Sequence, residues 1–384
     1  MLWILHEGAA GGANMALAEQ LEILVAMGYQ ITLASPKPGS FLEKMAQRGI
    51  PSHVQFFYLW IRAFEKPNSQ RLRRTLRNLW TLIYILRLAA KSDLVCSNTL
   101  CSPLGALAAW LLRKPHYWVI HEFGEEDHGF RLALPTPRAY RLMASLSEKI
   151  VVNSQAVMAK WAQYVLPEKL ALLYNIVEIT PSGPPLPFPE DGIFRLLMLG
   201  QISRGKGHSD AIRTVALLKE RGIETRLHIV GSAWDKTYKS ELDALIARLG
   251  AENDIEILPP VDKPADIFIQ YHLFLMCSIC EAFGRVTVEA LKCGVPVIAS
   301  DTGGSPEILA TIGDGFLYRQ GDPTSLADKV EELLKPKAYQ LAKERCINIH
   351  QSYNRGIGEA QLRALFDPPY HFHQERSKRS DLFG

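Results

Sequence analysis

Cysteine is scarce: Cys96, Cys101, Cys277, Cys280, Cys293 and Cys346 are the only six in 384 residues. That density excludes a disulfide framework, and free thiols in a reducing cytoplasm are the expected state. Cys277 and Cys280 form one C-x-x-C, but no second pair and no paired histidines follow at zinc-ligand spacing. A redox role for this pair stands as a second reading, because C-x-x-C lowers a thiol pKa. Long apolar runs are missing too. The longest, 79–90, is interrupted by Arg87 and falls short of the roughly 20 residues that span a bilayer. The opening MLWILHEG has no basic leader and no small-residue cleavage site, so it reads as a first strand and not as a signal peptide. No D-x-D occurs, and no repeat of solenoid length is present. Nor does one sign of charge dominate: 43 Lys and Arg against 40 Asp and Glu leave a net charge of +3, which argues against a nucleic-acid footprint.

What is present is an ordinary globular composition, 47% hydrophobic and 22% charged, in a chain too long for one typical domain. Short β-rich runs fall at 2–6, 30–34, 53–57, 94–97, 117–121, 150–152 and 170–173, with helical patterns such as 13–27, 72–91 and 103–112 between them. The stretch 181–189, PSGPPLPFP, can continue neither element. After it the alternation restarts, with strand patterns at 194–199, 226–230, 255–258, 273–277, 297–300 and 316–318. Strand–helix alternation is the mark of βαβ units and parallel sheets. The expected fold class is therefore α/β with two doubly wound, Rossmann-like domains, 1–180 and 191–350, joined by the linker 181–190 and followed by a helix and tail at 351–384.

The most informative segment is 279–308, ICEAFGRVTVEALKCGVPVIASDTGGSPEI. Glu281 and Glu289 stand there with seven residues between them, across what reads as a loop entering a helix. At such a helix start the backbone N–H groups of Phe283, Gly284 and Arg285 are free and the dipole favours an anion such as a diphosphate. Glu281 ahead of the helix and Glu289 inside it then reach opposite ends of one elongated ligand. Carboxylates accept hydrogen bonds from hydroxyls, so a phosphate flanked by two sugars, a nucleotide sugar, suits this layout.

The segment resembles the donor-site signature of the family-4 retaining glycosyltransferases: E-x7-E, then A-x-x-x-G-x-P-V-[IV]-A and a G-G-x-P-E turn. Ala290, Gly294, Pro296, Val297, Ala299, Gly303, Gly304, Pro306 and Glu307 all fall at the family's positions. The resemblance implies the GT-B architecture, two domains facing each other across a cleft, with the last helix commonly crossing back to the first. It implies that Glu281 faces the transferred sugar while Glu289 holds the ribose.

Ligands of open α/β sheets bind beyond the carboxyl ends of strands. The loop after the first strand, 8–13, reads GAAGGA, which is not G-x-G-x-x-G. It is either a tight strand-to-helix turn or, as the resemblance implies, a loop whose Gly11 and Gly12 lie under the donor phosphate. The corresponding loop of the second half, 200–208, reads GQISRGKGH. In the family an arginine and a lysine here clamp the leaving diphosphate. Lys206 and Gly207 fall into register, but Gln201 stands where the arginine is usual; Arg204 either reaches the phosphates instead or is a solvated cation. His121 ends a strand, and the resemblance puts a histidine there beside the donor sugar and the reacting centre. The acidic loop 122–128 either orders over the acceptor or is a solvated turn. Ser154 and Asn175 match family elements and read as structural, with Ile176 where glycine is usual. Val261 closes the segment that lines the nucleobase in relatives, where Pro260 replaces a common glycine.

A cationic loop and helix N-termini would do what a divalent ion does in other sugar transferases, so neither metal nor cofactor is expected. The implied activity is retaining transfer of a sugar from a nucleoside diphosphate sugar to a saccharide or lipid-linked acceptor, in the cytoplasm. The site would assemble glycans, glycolipids or surface polysaccharides. A nucleotide-sugar epimerase of the same architecture and a non-catalytic nucleotide-sugar-binding scaffold are the alternatives. Between 62 and 91, Arg62, Lys66, Arg71, Arg73, Arg74, Arg77, Arg87 and Lys91 face a single acid, Glu65, after the aromatic Phe56, Phe57, Tyr58 and Trp60. Such a basic amphipathic helix either rests on an anionic membrane surface or is a solvated face packed on the sheet.

Overall fold

The computed structural model describes residues 1–61, 68–233, 235–261, 263–313 and 316–366. Arg62, Glu65 and Lys66 of the basic segment and the tail from 367 lie outside them. The first sheet has the order β3-β2-β1-β4-β5-β6-β7. Its strands are β1 (Leu2–Ile4), β2 (Thr32–Ser35), β3 (Ser52–Val54), β4 (Val95–Asn98), β5 (His116–Ile120), β6 (Lys149–Val152) and β7 (Leu170–Leu172). Its helices are α1 (Gly12–Ala26), α2 (Ser40–Gln47), α3 (Asn68–Ala90), α4 (Leu104–Leu111), α5 (Glu125–His128), α6 (Thr136–Leu146) and α7 (Gln155–Trp161). The second sheet, β10-β9-β8-β11-β12-β13, contains β8 (Phe194–Leu199), β9 (Thr225–Val230), β10 (Ile255–Leu258), β11 (Leu273–Met276), β12 (Val297–Ser300) and β13 (Leu317–Tyr318). Around it lie α8 (His208–Glu220), α9 (Lys236–Arg248), α10 (Pro264–Phe268), α11 (Arg285–Lys292), α12 (Ser305–Leu309), α13 (Pro323–Leu333), α14 (Pro336–Cys346) and α15 (Arg355–Phe366).

Neighbouring strands run parallel in both sheets. Covered on both faces, β1, β4, β5, β11 and β12 are buried at every residue, which is why they read as continuous apolar runs. The fold class is thus the one expected. Strand order reverses between β1 and β4 and again between β8 and β11, so each sheet has a switch point where α/β folds bind ligands. The run expected as a strand at 53–57 ends at Val54. Beyond it, α3 replaces the ladder: Thr81 Oγ1 donates to the Phe56 carbonyl at 2.8 Å and Asn78 Oδ1 accepts from the Tyr58 N–H at 2.8 Å.

The stretch 181–190 lies between the sheets and is strapped to α14, whose Lys343 Nζ donates to the Leu186 carbonyl at 2.7 Å. From α15, Leu362 and Phe366 join the core of the first sheet, with the Phe366 ring 5.5 Å from Tyr117 and 6.5 Å from Trp3. All six cysteines are unpaired thiols.

Candidate active site

Loops following β8, β11 and β12 meet at one point. The turn after β8 closes at Arg204–Lys206, and Gly207, at φ 67°, begins α8. Only glycine fits there, since a Cβ would stand 1.8 Å from the Cys277 carbonyl oxygen. The Ile279 N–H donates to the Gly205 carbonyl at 2.9 Å, tying this turn to the loop after β11. Lys206 is thereby brought to Glu281, Nζ to Oε2 at 2.6 Å, and Ser278 Oγ donates to the same oxygen at 2.9 Å. From the β12 side, the Gly304 N–H donates to the Glu281 carbonyl at 2.7 Å. Gly303, at φ 62°, passes so close that a Cβ would lie 2.2 Å from that carbonyl oxygen. The G-G turn is therefore the support on which Glu281 rests.

Helix α11 starts at Arg285, behind Gly284 at φ 88°, with no side-chain cap on its first turn, where the Thr287 N–H donates back to the Gly284 carbonyl at 2.9 Å. Glu281 precedes this helix and Glu289 lies within it. Glu289, 8% exposed, accepts from Arg285 Nε at 2.8 Å. Burial pushes its carboxyl up, against the pull of Arg285. The remaining guanidinium nitrogens of Arg285 form a two-point bridge to Glu19 of α1, 2.7 Å each, and also reach the Ile176 carbonyl at 3.1 Å. Arg285 thus links the two domains through its side chain, which its place in the motif does not disclose.

Arg204 stands apart from this cluster. Both terminal nitrogens pair with Glu241 of α9, at 2.6 and 2.7 Å, and the guanidinium lies 4.9 Å from the Tyr238 ring centre. A bidentate carboxylate and a stacking ring hold it there. In this structure the guanidinium is engaged by Glu241 in an exposed pair, at 59% and 49%. Gln201 is exposed and lines a small pocket with Gly200, Lys206, His208, Ser278 and Val286. Val261 is 38% exposed, beyond β10 and two strands away from β8.

On the opposite wall, β5 ends at Ile120 and delivers His121, whose Nε2 lies 2.8 Å from Asn98 Oδ1 at the end of β4. Burial, with His6 adding to it, pushes this imidazole down to about 3, so it is neutral. Glu122 is 4% exposed and accepts from the Leu100 and His121 N–H groups at 2.5 and 3.0 Å; burial pushes it up to about 7. Asp127 accepts from the Phe123 and Gly124 N–H groups at 2.7 Å each. The acidic loop is therefore no plain solvated turn, because Asp127 holds its own backbone and Glu122 ties it to Leu100 and His121. The Asp127 carbonyl also abuts Gly205, where a Cβ would meet it at 2.9 Å, so the His121 loop touches the Lys206 turn across the cleft.

Beside this wall, α1 begins at Gly12, behind Gly11, without a side-chain cap. A Cβ on Gly12 would meet nothing within 4 Å, whereas one on Gly11 would meet Glu7 Oε1 at 2.9 Å. Packing does not require the open space at Gly12. Glu7 pairs with His6 at 3.3 Å, and that hydrogen bond holds its carboxyl below the usual range. Glu307 of the G-G-x-P-E turn accepts from the Gln155 N–H at 3.0 Å and from Tyr174 Oη at 3.1 Å, a second bridge between domains. Ser154 caps α7, accepting from the Val157 N–H at 3.1 Å. Burial pushes the Cys277 and Cys280 thiols up to about 12, the reverse of an activated redox pair. Among the described residues no group of three or more His, Cys, Asp or Glu is placed to hold a metal ion.

Residues 10–180 match the family model for Glycosyltransferase Family 4, and residues 187–350 match that for glycosyl transferases group 1. The chain belongs to the family-4 glycosyltransferases. The D-inositol 3-phosphate glycosyltransferase of Arthrobacter sp. (strain FB24) is 30% identical to this family-4 chain over 184 residues, 47% of this chain and 43% of that protein. The N-acetylgalactosamine-N,N'-diacetylbacillosaminyl-diphospho-undecaprenol 4-alpha-N-acetylgalactosaminyltransferase of Campylobacter jejuni is 28% identical over 217 residues, 53% and 57% of the two. The family-4 chain thus spans about half the length of these curated relatives. Among solved structures, HepE of Anabaena in complex with UDP and glucose has a TM-score of 0.77 at 22% identity, covering 95% of this chain and 99% of that one. WaaG, a glycosyltransferase involved in lipopolysaccharide biosynthesis, has a TM-score of 0.67 at 15% identity, covering 96% and 100%. At these identities the likeness establishes the GT-B fold.

Proposed function

We propose that this protein is a retaining glycosyltransferase that moves a sugar from a nucleoside diphosphate sugar to a hydroxyl of a saccharide or lipid-linked acceptor. The observation that carries this reading is the meeting of Lys206, Glu281 and the uncapped start of α11 opposite the loop that bears His121. Lys206 and the first N–H groups of α11 are preorganised positive charge for a departing diphosphate. Glu281 accepts from hydroxyls of the transferred sugar and Glu289 from those of the ribose. With this charge built into the chain, the reaction needs no divalent ion. Retention follows if the acceptor attacks from the face the diphosphate leaves, with the leaving phosphate taking the proton. UDP in the HepE complex and the diphospho-undecaprenol in the Campylobacter enzyme's name support a uridine donor and a lipid-linked acceptor.

A second reading concerns place. Leu72, Leu76, Leu79, Trp80 and Ile83 recur at the spacing of one helical face of α3, and all are exposed, Trp80 by 73%. Exposed Arg71, Arg73 and Arg77 lie among them. An apolar stripe bordered by arginines fits the headgroup region of an anionic membrane, which supports a peripheral position on its cytoplasmic face.

The test is transfer from UDP-glucose, with and without EDTA, beside thermal shifts with UDP, GDP and ADP and their sugars. Lys206→Ala is expected to lower turnover by about 10²–10³ with the fold intact by circular dichroism. Wild-type turnover in that variant overturns the diphosphate clamp, and loss of activity in EDTA overturns metal independence. Release of a stereochemically altered nucleotide sugar without acceptor would mark an epimerase, and binding without any turnover a scaffold.

A further inference from the structure

The side chains behind His121 have only one self-consistent arrangement of hydrogens. It begins at two backbone carbonyls, which can only accept. Asn14 of α1, fully buried, donates from Nδ2 to the carbonyl oxygens of Ala9 at 2.8 Å and Glu7 at 3.2 Å. Its nitrogen is thereby committed, and its Oδ1 is left as the acceptor at the other end. Asn98, 2% exposed, donates from Nδ2 to that oxygen at 3.1 Å. The Asn98 atom facing His121 Nε2, at 2.8 Å, is therefore Oδ1. An amide oxygen cannot donate, so the shared proton belongs to Nε2. Turning either amide over would set like against like in a buried place. A neutral imidazole protonated on Nε2 has a bare lone pair on Nδ1. That Nδ1 is buried and has no hydrogen-bond partner among the described residues. Such an unmet acceptor calls for a donor that the folded chain does not itself supply.

We propose that Asn98 and Asn14 are positioning residues that hold His121 as its Nε2–H tautomer, leaving Nδ1 to accept a hydrogen bond from a hydroxyl of the transferred sugar. The sugar contact rests on the transferase reading above; the tautomer does not. The relay also starts at the loop of Gly11 and Gly12, so that loop's backbone and His121 are set by the same two amides.

The titratable groups around the histidine are His6 and Glu7 beyond β1, Cys101 beyond β4, and Glu122 and Asp127 in its own loop. His6 acts on His121 directly, and Glu122 accepts from its N–H. Histidine-selective ¹⁵N NMR on the intact protein, without substrate, reads the tautomer, with His121→Gln providing the assignment. The wild type is expected to carry its proton on Nε2 and none on Nδ1 between about pH 5 and 8. Asn14→Ala frees the Asn98 amide to turn, and the Nδ1–H form then appears. Asn98→Asp sets a carboxylate against Nε2, which raises the histidine pKa, so both nitrogens are donors up to a higher pH than in the wild type. Its kcat below that new histidine pKa is expected to fall about tenfold, with KM for the donor changing less, and to recover as pH rises through it. Purely structural asparagines would lower the melting temperature and leave tautomer and pH profile alone; that result overturns the proposal. So does a wild-type proton on Nδ1, or wild-type kcat in Asn98→Asp while NMR shows its His121 doubly protonated. A protein with the expected spectrum but no transfer would overturn the sugar contact and the transferase reading together, and the lock would stand on the spectrum.

Discussion

His116, His121 and His208 are buried, and burial is the main cause that drives their imidazoles down to about 3, about 3 and about 4. A depressed folded pKa means that the unfolded chain takes the proton first, so each histidine weakens the fold as pH falls from 6.5 toward its own value. Glu122 acts in the opposite sense. Raised from 4.5 to about 7, it holds its proton in the fold, and its contribution is lost as pH rises across that interval. His272 is pushed down to about 4 by burial as well, and these four histidines outweigh Glu122 and leave a net loss on acidification, on the order of 1–4 kcal/mol per unit between about pH 6 and 5. Urea unfolding at several pH values measures it, and a flat profile there would mean that these imidazoles are charged in the fold. The residues legible in the sequence were those held in short motifs. Lys206, Glu281, Glu289 and His121 each have neighbours that mark them. The partners that govern them were not legible, because Asn98 and Asn14 are 84 positions apart and Arg285 and Glu19 are 266 apart. The partner of Arg204 was hidden for the same reason, since Glu241 is 37 positions away.

Helix α3 has two apolar faces, one made by Thr81, Ile85 and Ala89 against the sheet and one left outward by Leu72, Leu76, Leu79, Trp80 and Ile83. Its periodicity announced a helix and could not say which face the sheet would take. Nor could it say that Arg74 turns back, donating to the Leu59 carbonyl at 2.8 Å with its guanidinium 4.8 Å from the Tyr58 ring centre. The strands were more readable, because parallel strands covered on both faces leave unbroken apolar runs and only their ends are ambiguous. For α3 the expected outcome is specific. Leu79→Ser with Trp80→Ser should abolish binding to anionic liposomes by removing the apolar anchor. Reversal of Arg71, Arg73 and Arg77 to Glu should remove the part of binding that salt weakens, screening acting over about 8 Å at physiological ionic strength. Co-sedimentation decides it: a wild type that ignores anionic liposomes at low salt leaves the stripe without this role.

At the scale of the molecule, the contacts that draw the domains together include Glu19 with Arg285, Glu307 with Tyr174 and the Gln155 N–H, and the Asp127 carbonyl against Gly205. The first is the strongest, a two-point ion pair whose side chains are only 16% and 20% exposed. Glu19→Ala is expected to cost roughly 1–3 kcal/mol, less than a wholly buried pair because Arg285 keeps Glu289 and the Ile176 carbonyl. Faster hydrogen exchange in α1 and α11 should accompany it, and unchanged exchange would mean that the bridge does not form in solution. The two sheets themselves were legible from the proline-rich break and the restart of alternation after it. What joins them was not, being made of single side chains from distant elements. One consequence concerns force. Both ends of the described chain belong to the first sheet, β1 near its middle and Phe366 packed on Trp3. The second domain hangs from two crossings of the backbone, at 181–190 and ahead of α15. A cut in either one leaves it tethered by the other. A pull applied between Met1 and Phe366 loads the packing of α15 on α1, Trp3 and Tyr117 within the first domain, and until that gives way the second domain rides slack, outside the line of tension.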